Sequence, residues 1–229
     1  MGILGLWQYI KKKYTLNDPK NSANRNKRFS RIYVDGTWLV FKLCLPIEKL
    51  RKDIFREVLK KNLLNRIAGM MEFIKPSARG KKDSVIFVFD SGTRPSDKIR
   101  LQNKDKNKKD MKNSPSPSQE SFDTFFEMLE NESIPMIISK GEADHEIKHL
   151  LCKNIKYSGD EAVHTGDSDF ILFSKYIILF DMTILDVQDM LQSLGISKKE
   201  LIDASFIAGN DYNISTTSFG AALKRIKSL

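Results

Sequence analysis

The sequence predicts an α/β fold with a mainly parallel central sheet flanked by helices. Three observations lead there. Short runs rich in β-branched and aromatic residues, at 31–35, 85–90 and 134–138, alternate with longer stretches of helical periodicity, the pattern of strands joined by crossover helices. Val85-Ile86-Phe87-Val88-Phe89 is an unbroken apolar run, as expected of a strand covered on both faces. Finally, acidic residues fall just after strands, at Asp35, at Asp90, at Glu142 with Asp144, and at Asp167 with Asp169. A parallel sheet puts its carboxyl ends on one edge, so the fold alone predicts that these acids converge.

In chain order, residues 3–13 read as a short amphipathic helix ending in Lys11-Lys12-Lys13, and 15–28 as a polar, basic loop interrupted by Pro19. The strand 31–35 ends on Asp35, and Gly36-Thr37 turns into a helix running through Lys42. Apolar residues at Leu50, Ile54, Val58, Leu63, Ile67, Met70 and Ile74 recur near helical spacing, which predicts a helix over 47–74 that Pro76 stops. Residues 98–118 are lysine-rich and then Ser/Pro-rich, with almost nothing to bury, so an exposed basic segment is expected. A helix at 120–130 and a strand at 134–138 follow. Gly141-Glu142-Ala143-Asp144 then opens another helix. Glu142 and Asp144 would point apart in mid-helix, so both are expected at its first turn. Beyond the Asp167 stretch come a strand at 177–180, helices near 186–194 and 198–208, a polar turn at Asn210-Asp211-Tyr212, and a last basic helix at 221–228. There is no internal repeat.

The chain has 229 residues, with 38 Lys and Arg against 29 Asp and Glu, a formal charge of +9. A basic surface points to a polyanionic partner, with nucleic acid the leading candidate. Cys44 and Cys152 lie in apolar helical patterns without C-x-x-C spacing, which suggests neither a disulfide framework nor a zinc site. No apolar run reaches the length of a membrane span, and neither a signal peptide nor a myristoylation signal begins the chain. A soluble intracellular protein of the nucleus or cytoplasm is expected, with no membrane partner.

The densest chemistry lies in His164-Thr165-Gly166-Asp167-Ser168-Asp169-Phe170. Two carboxylates two residues apart beside apolar sequence repel each other and protonate unless a cation holds them. D-x-D also occurs in surface turns. The acids at the other strand ends strengthen the case for a bound divalent metal.

Taken together, M-G-I-L-G-L-W at the start, Y-V-D-G-T at 33–37, F-V-F-D at 87–90, G-E-A-D at 141–144, T-G-D-S-D at 165–169 and A-G-N-D-Y at 208–212 resemble the 5′ nuclease superfamily of flap endonucleases and XPG-type nucleases. Relatives of that superfamily include the Xrn 5′→3′ exoribonucleases. The resemblance implies a PIN-like 5′ nuclease core forming a single domain over 1–229, with 98–118 as a short arch-like insertion and 205–229 as a partial, truncated helix-turn-helix element. It also implies seven carboxylates around a two-metal centre. Asp35, Asp90, Glu142 and Asp144 would serve one ion, and Asp167, Asp169 and Asp211 the other, several of them through water.

Hard oxygen ligands suit two Mg²⁺ ions, with Mn²⁺ able to substitute. Such a pair activates a water and stabilises the leaving oxygen of a phosphodiester. By the same resemblance Lys98 would contact the scissile phosphate, if one residue is inserted after Asp90. Arg100 and Lys104 would line the arch, though Asp105 falls where a second basic residue is usual. Phe41 would stack on a base, with a packing role as the alternative. Gly2 would lie near the active site, and Gly220 would belong to a turn gripping duplex. There Ser218-Phe219-Gly220 replaces the usual G-I-G.

The implied function is a metal-dependent, structure-specific 5′ nuclease, an endonuclease or 5′→3′ exonuclease acting on DNA flaps or single-stranded 5′ ends in repair or replication. It would work as a monomer without a sliding-clamp motif. Gly141-Glu142-Ala143-Asp144-His145-Glu146-Ile147 also resembles an Xrn stretch, so an RNA-degrading nuclease, virally encoded or cellular, is the first alternative. A nucleic-acid-binding protein without catalysis is the second.

Overall fold

Strands β1 (Arg31–Asp35) and β2 (Val85–Phe89) pair in parallel, Ile32 opposite Val85 and Asp35 opposite Val88. The computed structural model that shows this describes residues 2–14, 26–79, 83–91, 116–153, 160–209, 215 and 217–228. These fall into two compact units, one drawn from 2–14 and 166–228, the other from 27–91 and 116–165.

The second unit is built on the parallel strands. β3 (Met136–Ile138) pairs with β2, and β4 (Glu161–His164) with β1, giving the order β3-β2-β1-β4. All five residues of β2 are buried, which is why its sequence is apolar without alternation. Among the described residues this unit holds the α-helices α2 (Gly36–Cys44), α3 (Lys52–Glu72), α4 (Gln119–Asn131) and α5 (Ala143–Lys153). α3 buries Phe55, Leu59, Leu63, Ile67 and Met70, a stripe at steps of four and three. Between sheet and helices lies a stack of rings. Phe89 meets Phe126 edge-on at 4.7 Å, and Phe87 and Phe89 each lie 6.2 Å from Phe125. A Cβ on Gly36 would sit 2.5 Å from the Phe89 ring, so only glycine lets α2 begin this close to β2.

The first unit holds α1 (Leu6–Lys13), the antiparallel pair β5 (Tyr176–Ile178) and β6 (Ile184–Asp186), and the helices α6 (Val187–Leu194), α7 (Lys198–Ala208) and α8 (Phe219–Lys227). α1 buries Leu6 and Ile10. The Leu4 N–H donates to the Gly209 carbonyl, and the Phe219 N–H donates to the Leu4 carbonyl, at 3.1 and 3.0 Å. Asp186 caps α6 by accepting from the backbones of Gln188 and Asp189. Gly195 in the left-handed conformation ends it, and Ser197 with Glu200 forms a capping box on α7.

The expected α/β layering and mainly parallel strands are observed. The helix expected over 47–74 is shorter: Leu45–Ile47 form a 3-10 turn around Pro46, Arg51 is extended, and α3 starts only at Lys52. Leu50, counted in the helical stripe, falls before α3 and is 42% exposed, and Ile54, inside α3 but off its buried face, is 41% exposed. Ile171 and Leu172 belong to a 3-10 helix, Ser168–Leu172. β6 is a strand the sequence reading did not contain. Among the described residues no helix is long and apolar enough to cross a membrane.

Candidate functional site

In the second unit the strand ends deliver carboxylates to one edge. Asp35 closes β1 and caps α2, its Oδ1 accepting from the Trp38 N–H at 3.1 Å and its Oδ2 from the Thr165 hydroxyl at 2.9 Å. Asp90 follows β2. Its N–H donates to Thr37 Oγ1 at 3.0 Å, and its Oδ1 accepts from the Ala143 N–H, the first residue of α5, at 2.7 Å. One residue thus ties the end of β2 to the starts of α2, through its backbone, and α5, through its carboxylate. The loop entering α5 is held as well, because the Gly141 carbonyl accepts from the Ser91 N–H at 3.0 Å and from the Ser139 hydroxyl at 2.8 Å.

Glu142 therefore sits immediately before α5, with Asp144 in its first turn, as the spacing predicts. Donor atoms of Glu142, Asp144 and His145 all lie within 4.8 Å of one another. Asp35 and Glu142 are only 9% and 8% exposed. The neighbouring carboxylates Glu142 and Asp144 repel unless a cation joins them, and hard oxygen donors fit Mg²⁺ or Mn²⁺. His145 adds a nitrogen and shifts the set towards Mn²⁺. His145 is not among the expected ligands, all of which are carboxylates. Its signal was its place directly after Asp144 in the G-E-A-D-H-E-I stretch.

The first unit holds Asp167 and Asp169. Asp167 accepts from the Asp169 N–H at 3.1 Å, starting the 3-10 helix. The stretch is fastened to the beginning of the chain. The Trp7 indole N–H donates to the Gly166 carbonyl, and the Ile3 N–H to Ser168 Oγ, both at 2.8 Å. Gly2 has φ +121°, and a Cβ there would strike the Asp167 carboxylate and lie 2.5 Å from Ser168 Oγ.

The structure is similar to the catalytic core of Rad2 in complex with a DNA substrate, with TM-score 0.64 and 19% identity over 99% of this chain and 68% of that one. It is also similar to the T5 5′-exonuclease with bound zinc, with TM-score 0.55 and 16% identity over 86% of this chain and 74% of that one. The fold is that of the flap-endonuclease and XPG-type 5′ nucleases. No protein-family model matches the sequence, and neither does any curated protein.

On this XPG-type fold the remaining predicted residues are distributed unevenly. Phe41 is 37% exposed on α2, its ring edge-on to Phe122 at 6.5 Å. Gly220 lies in the first turn of α8, where a Cβ would meet the Tyr9 ring at 3.0 Å, so its smallness serves helix packing. Lys98, Arg100, Lys104 and Asp211 lie outside the described residues.

Proposed function

We propose that this protein is a divalent-metal-dependent 5′ nuclease that hydrolyses phosphodiester bonds in DNA bearing a 5′ flap or a single-stranded 5′ end. The observation that carries the reading is the set Asp35, Asp90, Glu142 and Asp144 brought to one edge by parallel strand ends and one helix start, in a chain of net charge +9. Support comes from solved structures of the same fold, which are nucleases, among them Rad2 with a DNA substrate and the T5 enzyme with metal ions.

Glu142 and Asp144, joined by His145, would hold a cation directly, while Asp90 keeps the segment bearing them in place through Ala143, and Asp35 is itself oriented by Thr165. A bound divalent ion supplies an activated water and stabilises charge on the leaving oxygen. For Asp167, Asp169 and Asp211 as holders of a second ion, the proposal rests on the sequence motif, as it does for Lys98, Arg100 and Lys104 as phosphate contacts.

The test is cleavage of end-labelled 5′-flap DNA and of matched 5′-phosphorylated RNA, with and without Mg²⁺ or Mn²⁺. Flap DNA should be cut only with metal, and Glu142→Gln or Asp144→Asn should lower the rate by at least about a hundredfold. Undiminished cutting by both variants sinks the metal assignment. RNA cut faster than DNA replaces the substrate by the alternative that the Xrn-like stretch suggests.

A further inference from the structure

α7 begins with two lysines, Lys198 and Lys199, although a cation in the first turn opposes the helix dipole. One of them reaches out of the helix. The Lys198 ammonium donates to the Ile171 carbonyl at 2.9 Å, in a partly buried bond within the first unit. Among the described residues no carboxylate forms an ion pair with Lys198. Burial holds its ammonium below the ordinary 10.5. A charge is thus drawn away from water for a single backbone carbonyl, which neither the stability of α7 nor an ion pair explains.

That carbonyl belongs to the last turn of the 3-10 helix Ser168–Leu172, which Asp167 opens and which carries Asp169 in its first turn. Such helices are uncommon beyond about four residues because their hydrogen bonds are poorly aligned, and this one has five. The last carbonyls of a helix find no partner inside it, so its end calls for donors from outside. The Phe173 and Ser174 N–H groups both turn back to the Phe170 carbonyl, at 3.2 and 2.8 Å, and Lys198 takes Ile171. The front of the same turn is held by Trp7 on Gly166 and Ile3 on Ser168. At a rise of about 2 Å per residue, Ile171 lies only about 4 Å along the axis from Asp169, so movement at one is passed to the other.

We propose that Lys198 is a positioning residue, which fixes the turn bearing Asp167 and Asp169 for a divalent cation by holding the far end of their 3-10 helix. This rests on the reading of those two aspartates as holders of the second ion, whose paired oxygen donors suit Mg²⁺ or Mn²⁺. Two other roles for the same lysine predict different results. As a bare charge it would repel the cation, so removing it would tighten metal binding. As a contact to the phosphate backbone it would govern affinity for DNA and leave the metal alone. As a positioner its loss loosens the turn and weakens metal binding, which outer groups that orient ligands do by about 10–100-fold.

The experiment titrates Mn²⁺ into the full chain without nucleic acid and reads bound ion from the loss of the free-ion electron paramagnetic resonance signal. Lys198→Met, which keeps the stem and removes the donor, should weaken one site by about tenfold or more. Lys198→Arg should restore most of that loss. Lys199→Met removes the same charge from the next residue and should leave affinity unchanged. With flap DNA at a fixed, subsaturating Mn²⁺ concentration, kcat should fall in Lys198→Met while KM for the DNA stays at the parent value. If Lys198→Met does not fold, the shorter, uncharged Lys198→Gln is read in its place. Parent affinity or tighter Mn²⁺ binding in Lys198→Met, an equal loss in Lys199→Met, or a raised KM at unchanged metal affinity each overturns the assignment. Asp169→Asn separates it from the reading beneath it. If that variant keeps the parent's Mn²⁺ affinity, the second ion is not held there and both fall. If it loses a site while Lys198→Met does not, only the role of Lys198 falls.

Discussion

At the scale of single residues, the most constrained position is Gly2. Its φ of +121° is one that side-chain-bearing residues rarely adopt, and a Cβ would strike the Asp167 carboxylate. Gly2→Ala should cost about 1–3 kcal/mol in thermal unfolding through strain alone, and should weaken metal binding by displacing Asp167. A variant with wild-type melting and metal affinity would show that the first residues are not seated there. The sequence marked Gly2 only through resemblance, since no local pattern reveals a neighbour 165 residues away. Cys44 behaves in the opposite way to an exposed thiol: burial, aided by the nearby charge of Glu48, pushes it up to about 12. It stays protonated through neutral pH, and thiolate is the reactive form. Under native conditions at mildly alkaline pH, alkylation should therefore add one group, at exposed Cys152, as read by mass spectrometry. Two adducts would mean that α2 opens. Burial of Cys44 was legible from its apolar surroundings, whereas Cys152, placed in a similar pattern, lies on the outer side of α5.

Among the elements, α4 shows how a helix start is secured from a distance. Ser118 caps it locally, and the Glu48 carboxylate also accepts from the Ser118 N–H and the Ser121 hydroxyl. Partial burial works against the charge on Glu48, but these hydrogen bonds outweigh it and hold the carboxyl below its ordinary 4.5. A carboxyl lowered on folding adds stability above its unfolded value and loses it as pH falls through the folded one. Glu48→Gln should therefore cost about 1 kcal/mol at neutral pH, comparable with losing a helix cap. In urea unfolding the gap between variant and parent should close as pH drops below 4.5, and a gap that stays constant to low pH would exclude the carboxylate as its cause. The elements with long apolar runs or explicit caps, β2 and α7, were legible in advance. β6 was not, because Ile184-Leu185-Asp186 is three residues long and runs straight into α6, so its pairing with β5 and not its own pattern makes it a strand. The start of α3 was misjudged for a related reason: helical spacing continued through Leu50, but Pro46 and extended Arg51 broke the backbone.

For the whole molecule, the proposed metal site predicts a linkage between ion and stability. A ligand bound only by the folded chain at a hundred times its dissociation constant stabilises by about 2.7 kcal/mol. For a chain of this size that is a rise of roughly 5–10 °C in melting temperature. Mn²⁺ or Mg²⁺ should produce such a rise and Glu142→Gln should abolish it, whereas an equal rise in parent and variant would place the ion elsewhere. The parallel arrangement and the edge on which the carboxylates of the second unit gather were readable, because an acid closes β1 and others follow β2 and β3 within a few residues. The division of the chain was not, because the unit holding α1 takes its other described elements from beyond residue 166, and sequence patterns report neighbours along the chain. That division bears on synthesis. On a ribosome the second unit has its described elements once His164 has emerged, but α1 must wait for Ser168, Gly209 and Phe219, the residues to which its leading segment is hydrogen-bonded. Until then Leu6 and Ile10 face solvent or a chaperone, so the earliest helix to be made is among the last to be docked, and a nascent chain stalled before residue 209 should be selectively cut by protease near its beginning.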